Sequence, residues 1–499
     1  MRQFTYPAAV LPGLLRIEFV FLLLYAAIVV PALVNHAMWG DETQAWLIAR
    51  DSRTIRDLLL NLRYEGHPIL YYLLIMPLTR MSADPETLKT LNVILMAATV
   101  AIVLWRAPFT LIERALFPFG YFMVFEYAVK SRGYALGCLL VVIFCALWRR
   151  RFERPIAVAV VLALLANVHI LFTILSGAAV AAVFLDRVAV RRSLFNWPAT
   201  DFVAAGVVIA GWSLALWVAV PVPDMRIAPQ WFGDLSVNTV LAELRKLSGI
   251  FGANQSPVLA GAAGVLLVGT LVALRRNVPV AAFLLLSVGG LLLFFIGRYP
   301  GHTWHQGFFF IAFAATLWLD RATPRGDPAQ PSGISSFSKV LFPGVLAMQC
   351  LAGAAALRDS FHQPYSNSRN VAQFLKAKGW SGDPIFGSRD FPINGIVAYL
   401  GIARAHYGLS GRWGSFIVWD RRTLMSFDLD AMLEEAAKIE GPVTFIAVVL
   451  HNDRPGRRTF EDADQSLDMR KLGDAGFVEV ARFEKAEKSV ENFVVYRRP

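Results

Sequence analysis

The 499-residue chain is 56% hydrophobic and only 17% charged, whereas ordinary soluble domains carry about 25% charged residues. Because a single soluble core stops growing near ~250–300 residues, this composition excludes an ordinary soluble fold and indicates a membrane protein. The formal net charge of +11 is concentrated in short basic clusters between apolar runs, which is typical of membrane topology signals and excludes a nucleic-acid-binding surface.

Apolar runs predict transmembrane helices, because about 20 apolar residues cross a bilayer as a helix. Eleven such runs lie at residues 17–34, 88–105, 111–129, 133–148, 155–168, 171–185, 202–220, 257–274, 279–296, 308–319 and 340–357. Residues 36–89 carry many charges, and the stretches 41–62 and 68–78 within them are typical of interfacial helices that lie on the membrane.

Arginine clusters orient this scheme, since basic residues favour the cytoplasmic side. The strongest cluster spans residues 149–154, and the other clusters fall on the same side when eleven helices are drawn. We therefore predict a multi-pass protein of the bacterial inner membrane with a cytoplasmic N-terminus. Residues 1–357 would form the transmembrane domain, and residues 36–89 would be its first periplasmic loop.

The composition changes near residue 358, after which short apolar runs alternate with helical patterns. Strands are predicted at 385–387, 443–450, 478–483 and 493–496, and helices at 371–378, 430–439 and 467–474. Residues 358–499 are therefore predicted to form a small periplasmic α/β domain, of an ordinary size for a domain. The fold class is thus an α-helical polytopic membrane protein with a small C-terminal extracytoplasmic α/β domain.

Two acidic groups follow the first apolar run, and ionisable residues near membrane depth are costly enough to suggest function. Asp41 and Glu42 either cap the helix that follows them, where anions are favoured, or belong to an active site. Glu65 and His67 precede Pro68 and either form the N-terminal turn of the next helix or bind a divalent ion or a substrate hydroxyl.

A second group lies at residues 126–132, where Glu126 and Lys130 are four residues apart and face the same side of a helix. Lys130 and Arg132 are either interfacial anchors or phosphate ligands, because the topology places them outside, against the positive-inside trend. A guanidinium is well suited to phosphate, since it binds two oxygens at once.

A third group comprises Arg298, His302 and His305. The spacing of the two histidines would allow both to bind one metal ion, although hydrogen-bonded structure is the common use of such a pair. The predicted topology places all of these residues, from Asp41 to His305, on the non-cytoplasmic side. Because nucleotide sugars and ATP are cytoplasmic, an enzyme with its site on this side would need a membrane-borne activated substrate.

These motifs resemble those of the GT-C superfamily of integral-membrane glycosyltransferases, which includes bacterial lipid A aminoarabinose transferases and protein O-mannosyltransferases. Those families place an Asp-Glu pair just after the first transmembrane helix, which corresponds to Asp41 and Glu42 here. Many show a His-Pro-Pro-Leu-Tyr-Tyr-like segment, matched by residues 67–72, and residues 127–136 loosely match a further family pattern. Ser131 stands where some relatives carry a second acidic residue.

The resemblance implies an inverting sugar transfer from a polyprenyl-phosphate donor to an envelope glycolipid, polysaccharide or protein. The residues it implies are Asp41 and Glu42 for catalysis, Lys130, Arg132 and Arg298 for the donor phosphate, and Glu65, His67, Tyr71, Glu126 and Tyr134 for the substrate. A divalent metal ion would be held by Glu65, His302 and His305. An envelope polysaccharide polymerase or ligase, or a transporter of lipid-linked sugars, is the alternative function.

Overall fold

The computed structural model describes residues 11–191, 197–225, 232, 235–323, 333–424, 427–449, 469–488 and 490–499. The helices of the first part are α1 (Leu11–Asn35), α2 (Gly40–Asp51), α3 (Ile55–Leu62), α4 (Leu70–Met81), α5 (Thr87–Arg106), α6 (Leu111–Leu116), α7 (Tyr134–Leu147), α8 (Pro155–Ala166), α9 (Ile170–Arg191), α10 (Ala199–Ala219), α11 (Val237–Arg245), α12 (Pro257–Ala273), α13 (Val278–Gly297), α14 (Gly307–Ala322) and α15 (Gly333–Ser360). Every predicted apolar run contains helical structure, which confirms the mainly helical fold class.

Six helices of the described part are long and apolar enough to cross a bilayer. They are α5, α10 and α13, together with residues Ile17–Asn35 of α1, Ile170–Val190 of α9 and Leu341–Ser360 of α15. The chain is therefore a multi-pass membrane protein. Helices α7, α8, α12 and α14 contain 14, 12, 17 and 16 residues, so the count of eleven crossings stays a prediction.

The predicted third span, residues 111–129, is not one continuous helix. It consists of α6, a 3₁₀ turn at Phe117–Phe119 and a π-helical turn at Phe122–Glu126. Pro118 lacks the N–H that an α-helix needs, and Gly120 has an extended backbone with φ −64° and ψ 148°. These two residues explain the break, and π-helical turns occur frequently at functional sites.

The charged segment 36–89 forms the three short helices α2, α3 and α4. The predicted helix 41–62 is interrupted after Asp51, and Thr54 caps the start of α3. The Thr54 hydroxyl accepts from the Asp57 N–H at 3.1 Å, and the Asp57 carboxylate accepts from the Thr54 N–H at 2.9 Å. This reciprocal cap satisfies two otherwise orphan donors and sets the direction in which α3 leaves α2.

The C-terminal part is an α/β domain, as the sequence predicts. Its elements are α16 (Ser368–Ala377), β1 (Ile385–Gly387), α17 (Asp390–Leu400), β2 (Ala405–Tyr407), β3 (Arg412–Gly414), α18 (Leu429–Ala437), β4 (Val443–Val449), α19 (Met469–Asp474), β5 (Val478–Phe483) and β6 (Asn492–Arg498). The strands form one mixed sheet in the order β3-β2-β1-β4-β6-β5. The sequence prediction missed β2, β3 and α17, because both strands have three residues and α17 contains Pro392 and Gly395.

The C-terminal domain shares a hydrophobic core with the segment 36–89. Helix α17 packs against α2, and their common core includes Trp46, Leu47, Ile393 and Val397, none of which is exposed to solvent. Full burial of one such aliphatic side chain contributes about 1.5–3 kcal/mol. This packing positions the loops of the C-terminal domain relative to the start of α2.

Candidate functional site

Asp41 lies in the first turn of α2, where the helix dipole favours a negative charge. Its Oδ2 is 2.6 Å from Nη1 of Arg132, and both side chains are partly accessible, with exposures of 23% and 16%. The structure therefore brings together two groups that the sequence places in separate motifs. Both groups of the ion pair are therefore accessible to solvent.

The turn that carries Arg132 is held by side chains from two helices. The Ser131 N–H donates to Oε1 of Glu42 at 2.5 Å, and the Tyr71 hydroxyl donates to the Ser131 carbonyl at 2.8 Å. Helices α2 and α4 thus hold both sides of one residue's backbone. The Tyr71 hydroxyl is therefore hydrogen-bonded to the protein backbone at Ser131, directly before Arg132.

Glu42 differs from Asp41 in being completely buried. Its Oε2 accepts from the Trp39 N–H at 3.2 Å and lies 2.7 Å from Nε2 of His36. Burial acts to raise the pKa of Glu42, but His36 and the N–H donors of Ser131 and Trp39 outweigh it and hold the pKa below its ordinary value. The carboxylate is therefore a charged anchor that fixes Asp41 relative to Arg132.

Aromatic rings surround the guanidinium of Arg132. Its Cζ lies 5.1 Å from the ring centre of Tyr134 and 6.0 Å from that of Trp304. The Trp304 carbonyl accepts from the Tyr127 hydroxyl at 2.8 Å, which ties this loop to the turn before Lys130. Cations are attracted to the faces of such rings, so the guanidinium is held in place by more than its ion pair.

Glu65 and His67 lie in the turn between α3 and α4, beside the ion pair. Oε1 of Glu65 accepts from Nε2 of Gln44 at 2.6 Å, and burial raises the pKa of Glu65 to about 7. The His67 ring lies with Nδ1 2.9 Å from the Glu65 carbonyl, and burial lowers the pKa of His67 to about 4. At neutral pH this turn therefore carries a neutral imidazole and a carboxyl group close to its midpoint of titration.

Lys130 is committed to a carboxylate in this structure. Its ammonium lies 2.8 Å and 3.0 Å from the two oxygens of Glu126, and both side chains are buried. The Tyr121 hydroxyl donates to the same carboxylate at 2.7 Å. Arg298 is half-buried and follows directly after the end of α13.

The two histidines of the third motif have different surroundings. His302 stacks on Trp304 with ring centres 4.6 Å apart, and its Nε2 lies 3.0 Å from the Tyr299 hydroxyl. His305 is buried, with its ring centre 5.9 Å from that of His169 and 6.3 Å from that of Tyr134. Both imidazoles therefore lie close to the aromatic rings, Trp304 and Tyr134, that are near Arg132.

The predicted metal ligands Glu65, His302 and His305 are not brought together as a ligand set. Within the part of the chain that the structure describes, no group of three or more His, Cys, Asp or Glu side chains is arranged to hold a metal ion. The divalent metal ion stays a prediction, and the reaction proposed below uses side chains alone.

Several residues that the sequence analysis did not single out also line the site. Gln44 joins Glu65 to the C-terminal domain, because its Nε2 also donates to the Ile417 carbonyl at 2.7 Å. Glu491 accepts from the Gly40 N–H at 2.7 Å through Oε1, one residue before Asp41. Lys488 lies 3.9 Å from the ring centre of Trp39. No local motif marks these residues, since only the tertiary fold brings them to α2.

Glu491 provides a test of this interface through the pH dependence of stability. Burial raises its pKa from 4.5 to about 7, so the folded protein binds a proton more tightly than the unfolded chain. The contribution of Glu491 to stability should therefore be greatest below about pH 4.5, fall as the pH rises to about 7, and then level off. Glu491→Gln keeps an acceptor for Gly40 and removes this contribution, so the slope of melting temperature against pH from 4.5 to 8 should be more positive than in the wild type.

Glu65 titrates in the same range, so the double variant Glu65→Gln/Glu491→Gln should make the slope more positive still. Asp84→Asn, at an exposed position of the segment 36–89, is the matched control and should leave the slope unchanged. If the melting temperatures of the wild type and Glu491→Gln changed with pH in the same way, the assignment of this proton to Glu491 would be wrong.

Comparisons with known proteins agree with this architecture. No protein-family model matches the chain, and no curated protein matches it. The structure is similar to the crystal structure of ArnT from Cupriavidus metallidurans bound to undecaprenyl phosphate, with a TM-score of 0.56 over 96% of this chain and 97% of that one. The sequences are 13% identical, so the similarity is one of fold. The protein is therefore a polytopic membrane protein with the GT-C-like fold that its sequence motifs predict.

Proposed function

We propose that this protein is a membrane glycosyltransferase that moves a sugar from a polyprenyl-phosphate donor to an envelope glycolipid, polysaccharide or protein. The observation that carries the proposal is the 2.6 Å ion pair of Asp41 and Arg132. It joins a carboxylate that can accept a proton to a guanidinium that suits phosphate. The undecaprenyl phosphate bound to ArnT, which has a similar fold, supports a polyprenyl-phosphate donor.

In the proposed reaction, the acceptor hydroxyl attacks the anomeric carbon while Asp41 removes the hydroxyl proton. The bond between the anomeric carbon and the phosphate oxygen breaks, and its electron pair leaves with the polyprenyl phosphate. A guanidinium has five N–H donors, so Arg132 can hold Asp41 and still bind the phosphate. It stabilises the negative charge that develops on the phosphate in the transition state. A single displacement of this kind inverts the anomeric configuration.

The remaining residues of the site support these two groups. Glu42 and Tyr71 position the turn that carries Arg132, and the Tyr134 ring lies against the guanidinium. Glu65 and His67 are proposed to bind substrate hydroxyls, since they lie beside the ion pair and offer a carboxyl group and a neutral imidazole. The buried pair of Lys130 and Glu126, and Arg298 at the end of α13, are proposed to shape the electrostatic field around the phosphate.

The periplasmic location of the reaction remains part of this proposal. It is supported by the arginine clusters, which orient the predicted topology, and by the nature of the donor. A lipid-linked sugar is available at the periplasmic face, where soluble nucleotide sugars are absent. A reporter enzyme that is active only in the periplasm should therefore be active when it is fused after Pro499. A reporter that is active only in the cytoplasm should be inactive at the same position.

The direct test is sugar transfer by the purified protein in detergent. Polyprenyl-phosphate-linked sugars carrying a label are incubated with envelope glycolipids, polysaccharides or proteins, and the labelled product is separated from the donor. Transfer of label with inversion at the anomeric carbon supports the proposal. A transporter would yield no product in detergent, where there is no second compartment, and a polymerase would lengthen a polysaccharide chain.

A further inference from the structure

The C-terminal domain brings one cation into the immediate surroundings of the Asp41–Arg132 ion pair. Nζ of Lys488 lies 3.9 Å from the ring centre of Trp39, 4.7 Å from that of Trp304 and 5.6 Å from that of Tyr365. These rings come from the turn before α2, the loop before α14 and the turn after α15. The ammonium is therefore held by parts of the chain that are far apart in sequence.

Lys488 and Arg132 share one aromatic ring. The Trp304 ring centre lies 4.7 Å from Nζ of Lys488 and 6.0 Å from Cζ of Arg132, so both cations lie close to the same indole. The pKa of His302, which stacks on Trp304, is lowered in part by the same two cations, Lys488 and Arg132. Burial, together with the nearby cations of Lys488, Lys246 and Arg132, lowers the pKa of His302 to about 4 in spite of Asp41.

A buried donor at this place also lacks an acceptor. The indole N–H of Trp39 is buried and has no hydrogen-bond partner among the described residues. Leaving a buried donor unpaired is costly, and an oxyanion at this position would satisfy it.

We propose that Lys488 binds the phosphate of the polyprenyl-phosphate donor together with Arg132, so that the C-terminal domain completes the donor site. This inference rests on the proposed function. The charges match the chemistry of the reaction, because the donor is a phosphodiester with one negative charge and the departing polyprenyl phosphate approaches two. The attraction between a second cation and the phosphate therefore increases as the bond to the sugar breaks. Such a cation stabilises the transition state more than it stabilises the bound donor.

The inference is tested by lipid binding to the purified full-length protein in detergent micelles, with the amount of bound radiolabelled lipid as the readout. Undecaprenyl phosphate is titrated into the wild type, Lys488→Met and Lys488→Arg at pH 7.5. Lys488→Met should weaken binding about tenfold to a hundredfold, as expected for the loss of a hydrogen bond between charged groups. Lys488→Arg should restore most of the affinity, because it restores the charge.

Three controls separate phosphate binding from a structural role. Lys485→Met lies in the same loop, at an exposed position, and should bind undecaprenyl phosphate as the wild type does. Undecaprenol, which has the same chain without the phosphate, should bind equally to the wild type and to Lys488→Met. Trp39→Phe keeps an aromatic ring and removes the N–H, so it should also weaken phosphate binding and keeps the test valid should Lys488→Met not fold.

The outcomes distinguish this inference from the proposed function. Equal affinity of the wild type and Lys488→Met for undecaprenyl phosphate overturns the role of Lys488 and leaves the proposed function standing. A wild type that binds neither undecaprenyl phosphate nor its sugar-linked form overturns both. A parallel loss of undecaprenol binding in Lys488→Met overturns the phosphate contact and assigns the lysine to the structure of the lipid site.

Discussion

Asp41→Asn should lower the rate of sugar transfer by about 10²–10⁴-fold, the range expected for the loss of a general base. The amide keeps the size of the side chain and can still accept a hydrogen bond from Arg132, but it cannot take the proton of the acceptor hydroxyl. The measurement is kcat for transfer of a labelled sugar by the purified variant. Affinity for undecaprenyl phosphate should change little, because the guanidinium and its turn remain in place.

The controls for this prediction compare carboxyl groups that differ in their surroundings. Asp84→Asn changes an exposed aspartate of the segment 36–89 and should leave kcat unchanged. Glu65→Gln removes the second carboxyl group beside the ion pair, whose pKa is raised to about 7 by burial. If Asp41→Asn kept full activity while Glu65→Gln lost it, the base would be Glu65 and the assignment of Asp41 would be wrong.

Glu42 shows how adjacent residues of one motif come to have different roles. The sequence places Asp41 and Glu42 side by side, and either carboxylate suits an active site on composition alone. In the helix the two side chains point in different directions, since neighbouring residues do not share a face. Glu42 is buried among His36, Trp39 and Ser131, whereas Asp41 reaches Arg132.

The order of helices and the meeting of the first two motifs could be predicted from the sequence, for a physical reason. Apolar runs must be helical in a bilayer, because lipid offers no partner for backbone groups, and arginine clusters orient the runs. Asp41 and Arg132 are thereby predicted on one side of the membrane. Their 2.6 Å contact follows from the way Glu42 and Tyr71 hold the turn at Ser131.

The contribution of the C-terminal domain could not be predicted in this way. Lys488 and Glu491 lie in a polar loop before β6, and their distance from α2 depends on how α17 packs against that helix. Helix α17 was itself missed, because Pro392 and Gly395 are common in turns. Contacts between residues so far apart leave no periodic pattern in the sequence. The sequence therefore predicts only those site residues that lie within residues 1–357.

Arg132→Ala should raise the KM for the lipid-linked donor and lower kcat together, with kcat/KM falling by about 10²–10³-fold, as is typical when a group that stabilises an oxyanion is removed. Arg132 binds the phosphate in the ground state and stabilises the charge that develops as the sugar leaves. Arg132→Lys keeps the charge but loses the planar guanidinium, so its activity should lie between that of the wild type and that of Arg132→Ala. Arg56→Ala, at an exposed position of α3, should match the wild type.

The same series separates phosphate binding from support of Asp41. Loss of the guanidinium leaves Asp41 without the ion pair, which by itself would alter kcat and its pH profile but not the affinity for undecaprenyl phosphate. A role in phosphate binding therefore requires that Arg132→Ala weaken that affinity while undecaprenol binding stays unchanged. Unaltered affinity for undecaprenyl phosphate would restrict Arg132 to positioning Asp41, and the phosphate would then have to be bound by other groups, such as Lys488.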